Sequence, residues 1–296
     1  MKIQFLNGGL ANQVFQYIFV RYAELAHPEQ GPWYIDDSFF FTNDIHNGYE
    51  LDKVFNIQAN LLSQTFDEDV WEEFIKNKQK GISIPQTFKN MGTDIIMYAE
   101  TDNYKTFTPF DGKIIRMFPA NEFHPEVTTI PYPNVYYHGY WINKEWLGSY
   151  KDIILKELAF PEIPLASAKE YANQIMNTPS VAVHIRRGDY VSLGWELPQD
   201  YYSSSLHSFS QSTNGFTLFV FSDDLEWCRA NASDLGFSYA DKVIYVSGNT
   251  NRNSYLDMQL MSLCEGMIMS NSAFCYLAAL MNKRLRLYTN PTNREV

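Results

Sequence analysis

The stretch Val181-Ala-Val-His-Ile-Arg-Arg-Gly-Asp-Tyr190 decides the expected fold, because an apolar strand ends in it at two adjacent guanidinium groups. Open α/β sheets bind their ligands at the carboxyl ends of the strands. Arginine stays charged at any ordinary pH and can bind phosphate in a bidentate manner. The stretch therefore predicts an α/β sheet with an anion site at its edge. A structural ion network in which the arginines pair with Asp189 is the open alternative.

Side-chain alternation divides the residues of this strand between two faces. One face carries Val181, Val183 and Ile185, and the other carries Ala182, His184 and Arg186. His184 and Arg186 are therefore predicted to converge on one ligand. Arg187 then points away and is expected to pair with Asp189, while Gly188 supplies the turn.

The chain around this strand alternates apolar runs typical of strands with segments of helical period. Strands are predicted at 181–185, 216–221, 242–246, 267–269 and 285–288. Helices are predicted near 199–211, 223–235, 253–265 and 272–282. This alternation favours a Rossmann-like parallel sheet that is covered on both faces. The sequence contains neither GxGxxG nor a Walker A pattern, so the usual dinucleotide and P-loop sites are not expected.

The first half of the chain begins with a predicted strand at 2–6, a Gly-Gly turn and a helix that stops at His27-Pro28. The apolar positions of this helix follow the period of 3.6 and are Phe15, Ile18, Phe19, Tyr22, Leu25 and Ala26. Further strands are expected at 33–36, 95–99 and 114–118, without an order for the sheet. A helix at 143–158 and the segment Phe160-Pro-Glu-Ile-Pro164 mark a crossing between halves. Two domains are predicted, 1–160 and 161–296.

Composition limits the classes of partner. A net charge of −11 and a pI near 5.0 argue against nucleic acid and against electrostatic adhesion to an anionic membrane, so any anion site is local. No run reaches about 18 apolar residues, which predicts no transmembrane segment and leaves peripheral membrane association open. The first residues are typical of a strand rather than a signal peptide, and a cytoplasmic location is expected. Cys228, Cys264 and Cys275 lack a CxxC spacing and are predicted to be small buried hydrophobes.

The turn Asn7-Gly-Gly-Leu-Ala-Asn-Gln13 joins the first strand to the first helix. Glycine lets the backbone approach a ligand closely, and a helix N-terminus presents free N–H groups to an anion. The turn therefore predicts that Gly9, Asn12 and Gln13 bind a ligand. A tight turn capped by Asn12 is the open alternative.

Two other strand ends carry polar residues suited to a nucleotide. In Phe219-Val-Phe-Ser-Asp-Asp224, Ser222 is expected to cap a helix, and Asp223 or Asp224 can accept hydrogen bonds from the N1–H and exocyclic amine of guanine. Stabilisation of the helix dipole by these carboxylates is the open alternative.

The last such strand end, Met267-Ile-Met-Ser-Asn-Ser-Ala-Phe274, offers backbone amides and the side chains of Ser270, Asn271 and Ser272 as an anion cradle. No metal site is expected. The single Asp-x-Asp pattern, Asp67-Glu-Asp69, has the character of a first helical turn in solvent.

These separated motifs carry a resemblance to a known family. The motifs are Gly8-Gly-Leu-Ala-Asn-Gln-Val-Phe-Gln-Tyr17, His138-Gly-Tyr-Trp141, His184-Ile-Arg-Arg-Gly-Asp-Tyr190, Phe221-Ser-Asp-Asp224, Asp257-Met-Gln-Leu-Met-Ser262 and Ser270-Asn-Ser-Ala-Phe274. The chain resembles the bacterial α-1,2-fucosyltransferases of glycosyltransferase family 11. Family members often carry Gly where this chain has Ala11, and His or two Trp residues around the final motif, where this chain has Cys264 and Cys275.

The resemblance implies a GT-B-type enzyme, with two Rossmann-like domains facing a central cleft. The N-terminal domain would lie on the acceptor side, and the C-terminal domain would bind GDP-fucose. The reaction would need no metal and no cofactor, and would invert the configuration at the fucose anomeric carbon. Arg186 would hold the β-phosphate, His184 would lie beside the donor, Asp223 or Asp224 near guanine, and Ser272 near the diphosphate.

The acceptor implied by the resemblance is the 2-hydroxyl of a terminal galactose on a β-galactoside glycan. Glu196, on the loop after the arginine motif, is the predicted general base, and a route with weak base assistance stays open. Tyr140 and Trp141 are candidates for stacking against the acceptor sugar. Another GDP-sugar or linkage, and a non-catalytic GDP- or glycan-binding homologue, are the alternatives.

Overall fold

The structure, a computed structural model, describes residues 1–101, 104–117, 119–292 and 294–296. Within these residues the chain forms two compact units, Met1–Ala159 (unit 1) and Phe160–Val296 (unit 2). Each unit is built on its own five-stranded parallel sheet. The α/β class expected from the strand pattern is confirmed.

Unit 1 contains β1 (Lys2–Phe5), β2 (Trp33–Asp36), β3 (Ile96–Ala99), β4 (Ile114–Arg116) and β5 (Val135–His138). Its helices are α1 (Leu10–Ala26), α2 (Phe39–Thr42), α3 (Leu51–Phe55), α4 (Leu62–Thr65), α5 (Glu68–Gln79), α6 (Ile84–Asn90), α7 (Tyr104–Phe107) and α8 (Lys151–Glu157). The strands pair in the order β2-β1-β5-β3-β4. The strand predicted at 114–118 ends at Arg116, and Phe118 lies outside the described residues.

Helix α1 begins directly after the Gly-Gly turn and packs into the core of unit 1. Gly8 has a φ of +80°, a left-handed conformation that favours glycine. Phe15 and Phe19 are fully buried, and the ring of Phe19 stacks on Trp141 with the centroids 4.1 Å apart. The helix ends at Ala26, as predicted from the proline that follows His27.

The continuous helix predicted at 143–158 is wrong. The chain there forms a 3-10 helix at Lys144–Tyr150 and then α8. Gly148 interrupts the run with a φ of +46° and a ψ of −140°, and a Cβ at this position would lie 3.1 Å from the ring of Tyr22. The apolar side chains that suggested one long helix are therefore divided between two short helices. Trp146 is buried by the first and Ile154 by the second.

Unit 2 contains β6 (Ser180–Ile185), β7 (Thr217–Ser222), β8 (Lys242–Tyr245), β9 (Gly266–Ile268) and β10 (Leu287–Thr289). Its helices are α9 (Ala166–Met176), α10 (Gly188–Leu193), α11 (Gln199–Ser212), α12 (Leu225–Ala230), α13 (Tyr255–Met261) and α14 (Ala273–Leu280). The strand order is β10-β9-β6-β7-β8. The predicted alternation is confirmed, although α12 and α13 are shorter than the helices expected at 223–235 and 253–265.

Strand β6 lies in the middle of this sheet and is buried along its whole length. Val181, Val183 and Ile185 belong to one apolar cluster of unit 2. The ring of His184 lies on the other face, 5.8 Å from the ring of Phe274 in α14. The predicted division of the strand between two faces is thus confirmed. The three cysteines are free and buried, as the sequence predicts.

Candidate active site

Four loops of unit 2 meet at one edge of its sheet. They follow β6, β7, β8 and β9, which are neighbours in the order β9-β6-β7-β8, and they comprise residues 186–187, 223–224, 246–254 and 269–272. Parallel strands end at the same edge, so the loops carry their side chains into a common region. We call this region the carboxyl edge.

Two carboxylates hold the guanidinium of Arg186 at the carboxyl edge. Its Nη2 donates to Asp189 Oδ1 at 2.6 Å, and its Nη1 pairs with Asp223 Oδ2 at 2.8 Å. The Arg186 side chain still keeps 34% of its surface exposed. Gly188 permits this packing, because a Cβ there would lie 2.6 Å from Asp223 Oδ2. The strand thus ends at a positioned cation that a ligand can reach.

Arg187 has a different set of partners from the one predicted. Its Nε donates to Asp224 Oδ2 at 3.4 Å, and its guanidinium lies 3.7 Å from the ring centroid of Trp227. The expected pair with Asp189 is wrong, since that carboxylate binds Arg186. Strand alternation stops at Ile185. The helical turn that follows brings Asp189, three positions further along the chain, back to Arg186. The expected structural role of Arg187 agrees with its packing.

His184 is buried beneath this cluster. Its Nδ1 lies 2.8 Å from Ser270 Oγ, which joins the ends of β6 and β9. Burial, together with the positive charge of Arg186, lowers the pKa of His184 from 6.5 to about 3. The imidazole is therefore neutral throughout the physiological range, and it connects two loops of the carboxyl edge.

Both oxygens of each carboxylate predicted to read guanine are already engaged. Asp223 Oδ1 accepts from the backbone N–H of Arg187 at 2.8 Å, and its Oδ2 binds the neighbouring guanidinium. Asp224 Oδ1 accepts from the backbone N–H of Trp227 at 3.0 Å and caps α12, while its Oδ2 pairs with Arg187. The helix cap is therefore Asp224 and not Ser222, whose hydroxyl accepts from the backbone N–H of Asp224.

A different carboxylate, which contacts the loop after β8, has unused hydrogen-bonding capacity. Asp257, in the first turn of α13, accepts from Asn249 Nδ2 at 2.8 Å through Oδ1 alone. Burial raises its pKa from 3.8 to about 7. Asn249 Oδ1 is buried and has no hydrogen-bond partner among the described residues. From the sequence, Asp257 has no predicted role beyond its place in the motif Asp257-Met-Gln-Leu-Met-Ser262. Its place in the first turn of the helix that follows β8 is the signal that could have singled it out.

The loop after β9 contributes Asn271 and Ser272 to the carboxyl edge. Ser272 caps α14 by accepting from the backbone N–H of Phe274 at 3.2 Å. Asn271 Nδ2 donates to the backbone carbonyl of Trp195 at 2.8 Å. The positive end of the α14 dipole thus lies in the same set of loops as Arg186.

Glu196 follows on the loop after α10. Its side chain is exposed, with no hydrogen bond or ion pair to any other residue that the structure describes. Its carboxylate is available to solvent or to a ligand, and its role as a base stays a prediction.

The remaining predicted binding residues, Gly9, Asn12 and Gln13, lie in unit 1. Gln13 is fully buried, and its amide donates to the backbone carbonyls of Gly8 and Gly48 at 3.0 and 2.9 Å. This amide therefore ties the turn to the following loop. Gly9 is the N-cap of α1, so Asn12 lies inside the helix and does not cap it. Roles for these residues in donor binding stay predictions.

Trp141 does not fit the sugar-stacking role considered for it. Its ring is fully buried, and its Nε1 donates to Gln4 Oε1 at 2.8 Å. Stacking against Phe19 makes it part of the core of unit 1. Tyr140 keeps some exposed surface, and its hydroxyl accepts from Asn7 Nδ2 at 3.3 Å.

Comparison with known proteins decides the family. The family model described as Glycosyl transferase family 11 matches residues 118–295, which include all four loops of the carboxyl edge. The chain belongs to glycosyl transferase family 11. The resemblance seen in the separated motifs is confirmed, and the protein is a glycosyltransferase.

Two curated proteins from Escherichia coli are similar to this chain over most of its length. An alpha-1,2-colitosyltransferase is 29% identical over 97% of this chain and 90% of its own. The O-antigen biosynthesis glycosyltransferase WbnK is 25% identical over 94% of this chain and 89% of its own.

Two solved structures are similar in fold to this chain. The fucosyltransferase NodZ from Bradyrhizobium matches with a TM-score of 0.54 and 10% identity over 95% of this chain and 92% of its own. POFUT1 in complex with GDP-fucose matches with a TM-score of 0.50 and 13% identity over 97% of both chains. The likeness confirms the GT-B class expected for this chain.

Among the residues that the structure describes, the chain has neither a membrane-spanning helix nor a cluster of metal ligands. No helix there has both the length and the apolar character needed to cross a bilayer. No group of three or more His, Cys, Asp or Glu side chains there is arranged to hold a metal ion. The acidic run at 66–73 forms the start of α5, with Asp67 as N-cap and Trp71 buried, in agreement with the predicted helical turn.

Proposed function

We propose that this family 11 glycosyltransferase transfers L-fucose from GDP-fucose to the 2-hydroxyl of a terminal galactose. The transfer inverts the anomeric carbon and uses no metal ion. The observation that carries the proposal is the positioned guanidinium of Arg186 at the carboxyl edge, in the same set of loops as the N-terminus of α14. The E. coli relative named for an alpha-1,2 transfer and the fold neighbour with bound GDP-fucose support the linkage and the donor.

In this proposal the donor diphosphate exchanges with one carboxylate at Arg186. The cluster of Arg186, Arg187, Asp189, Asp223 and Asp224 holds two positive and three negative side chains, so an added dianion needs one carboxylate to move away. Asp189 is the one that moves, because its side chain is 57% exposed while that of Asp223 is 27% exposed and is also fixed by a backbone N–H. Arg186 then turns its freed N–H groups to the β-phosphate.

The guanine base of the donor is assigned to Asp257 in place of Asp223 or Asp224. A base with adjacent N1–H and amino donors complements a carboxylate that has an unused oxygen. Asp257 has such an oxygen, and its neighbour Asn249 carries an unpaired one as well. A purine with an acceptor at these positions would leave the buried carboxylate without a partner, which disfavours adenine.

The chemical step follows from these placements. As the bond to fucose breaks, new negative charge develops on the β-phosphate, and Arg186 and the N-terminus of α14 stabilise it. His184 stays neutral and keeps the two loops together. Glu196 accepts the proton of the attacking galactose hydroxyl, since its carboxylate is exposed and has no other partner among the described residues.

Colitose is the second candidate for the transferred sugar. The observation that favours it is the E. coli alpha-1,2-colitosyltransferase, 29% identical over 97% of this chain. Fucose and colitose share the same proposed nucleotide contacts, so the loops at the carboxyl edge do not distinguish them.

The experiment that tests the function compares the two donors directly. The purified chain is incubated with GDP-fucose or GDP-colitose and a panel of β-galactosides, with EDTA present, and the product linkage is determined by NMR. We expect an α-1,2 linkage to galactose that forms without a divalent ion. Transfer to another hydroxyl would overturn the linkage, and donor binding without transfer or hydrolysis would indicate the non-catalytic alternative.

A further inference from the structure

Trp195 differs from the other tryptophans of the chain in its exposure. It is 57% exposed, on the loop that follows α10. Trp33, Trp71, Trp141 and Trp146 are buried, and Trp227 is partly buried beneath the guanidinium of Arg187. The exposed side chain of Trp195 lacks the stabilisation that burial gives to the other tryptophans. The exposed indole therefore offers an aromatic face on which a ligand can pack.

The exposed indole is held in a fixed position. The backbone N–H of Trp195 donates to the carbonyl of Tyr190 at 2.9 Å, and its own carbonyl accepts from Asn271 Nδ2 at 2.8 Å. Its ring packs edge to face against Tyr190, with the centroids 5.7 Å apart and an interplanar angle of 84°. A surface that is positioned before binding loses little conformational entropy when a ligand arrives.

Tyr190 connects this indole to the anion site. The guanidinium of Arg186 lies 5.5 Å from the centroid of the Tyr190 ring, and the Ser272 hydroxyl lies beside its phenol. The ring of Tyr190 therefore lies between Trp195 and the proposed phosphate site. A sugar joined to that phosphate lies next to Arg186, so the indole is suited to the second sugar, the one that approaches the first.

We propose that Trp195 is the platform on which the acceptor pyranose stacks during transfer. The inference rests on the proposed function, because it needs a sugar at the phosphate of the donor. The C–H groups on one face of a pyranose pack against the indole, as apolar groups pack on aromatic surfaces. The exposed Glu196 carboxylate is the next residue in the chain, where it can accept a hydroxyl proton from the same sugar.

Steady-state kinetics with the galactoside that the wild type uses best tests the platform. Trp195→Ala is expected to raise the acceptor KM about tenfold, the loss of one good aromatic contact, with the donor KM and the rate of donor hydrolysis without acceptor unchanged. Trp195→Phe keeps an aromatic face and should restore most of the acceptor affinity. Leu193→Ala is the matched control, because Leu193 is 50% exposed on the preceding helix and is not aromatic.

The possible outcomes distinguish a failure of this inference from a failure of the proposed function. An acceptor KM that stays at the wild-type value in Trp195→Ala overturns the platform while transfer itself stands. A rise in the donor KM instead assigns the indole to the donor and also overturns it. A wild type that transfers sugar to no galactoside refutes the proposed function first. Fluorescence provides a second readout: acceptor added with GDP should change the tryptophan emission of the wild type and leave that of Trp195→Phe nearly constant.

Discussion

The substitution Asp257→Asn is expected to stabilise unit 2 and to weaken binding of GDP at the same time. Asn keeps the shape of the side chain and can still accept a hydrogen bond from Asn249. It removes a charge that the site tolerates poorly, since burial raises the pKa of Asp257 from 3.8 to about 7. Opposite effects on stability and on binding are typical of a residue kept for its ligand rather than for the fold.

The magnitude follows from linkage between ionisation and folding. Because the pKa of Asp257 is raised, the folded protein keeps the proton that the unfolded chain releases, and ionisation destabilises the fold. The penalty is absent below pH 4, grows as the pH rises, and levels off above pH 7 at about 4 kcal/mol. Asp257→Asn should therefore raise the free energy of unfolding by several kcal/mol at pH 8 and by less than about 2 kcal/mol at pH 5.

Binding should change in the other direction. A carboxylate that accepts two hydrogen bonds contributes about 1.5–3 kcal/mol, so the Kd for GDP should rise roughly tenfold to hundredfold in Asp257→Asn. The wild type must lose the Asp257 proton when it binds guanine, and its affinity should fall about tenfold for each pH unit below 7. Titration calorimetry in two buffers of different ionisation enthalpy measures the released proton. Urea unfolding at pH 8 and pH 5 measures the stability.

Two results would refute the reasoning in different places. If Asp257→Asn is less stable than the wild type at pH 8, the burial of the carboxylate does not cost what its raised pKa implies. If the variant is more stable but binds GDP as the wild type does, Asp257 does not contact the base. ADP is the control ligand: the wild-type carboxylate disfavours adenine, so Asp257→Asn should bind ADP at least as well as the wild type does.

Three other predictions concern the arginine motif. Arg186→Lys should lower kcat/KM for transfer about 10²–10³-fold at an unchanged melting temperature, because one ammonium cannot reproduce the fork of the guanidinium. Arg187→Lys is the matched control and should lower the melting temperature while largely keeping transfer. Near-normal turnover in a folded Arg186→Lys enzyme would contradict the role assigned to Arg186. Gly188→Ala places a Cβ 2.6 Å from Asp223 Oδ2. The donor affinity measured by calorimetry should therefore fall, and the free energy of unfolding should drop by about 1–3 kcal/mol. A donor affinity equal to that of the wild type would refute the close packing. His184 is held neutral by a pKa lowered from 6.5 to about 3, so its contribution to stability is present above pH 6.5 and is lost as the pH falls towards 3. Urea unfolding should show that the stability difference between wild type and His184→Asn shrinks by about 2 kcal/mol between pH 8 and pH 5, and a constant difference would count against a buried neutral imidazole.

The location of the site could be predicted because it depends on local pattern and on a general property of parallel sheets. The apolar run before Arg186 is buried on both faces, and every strand of such a sheet ends at the same edge as its neighbours. The loops after β6, β7 and β9 were all identified in this way. The loop after β8, with Ser247, Gly248 and Arg252, was not identified, and Asp257 beyond it was not singled out.

The pairing of charges could not be predicted, since it depends on distances between loops that are far apart in the chain. Asp223 lies 36 positions after Arg187, yet its carboxylate accepts a hydrogen bond from that backbone. Alternation along β6 gave no information beyond the last residue of the strand. The helical turn of α10 therefore reversed the expected roles of the two arginines towards Asp189.

The sequence was sufficient to predict the α/β class, the β-α order of unit 2, the two faces of β6, the family and the edge at which a ligand is expected. These properties follow from apolar periodicity and from short motifs, which act over a few neighbouring residues. Tertiary structure alone decided that Trp141, in a predicted motif, is buried in the core, and that Trp195, for which no role was predicted, is exposed beside the anion site. It also decided that Asp257, rather than Asp223 or Asp224, keeps an oxygen without a partner, because burial and hydrogen-bond satisfaction depend on every element packed around a side chain.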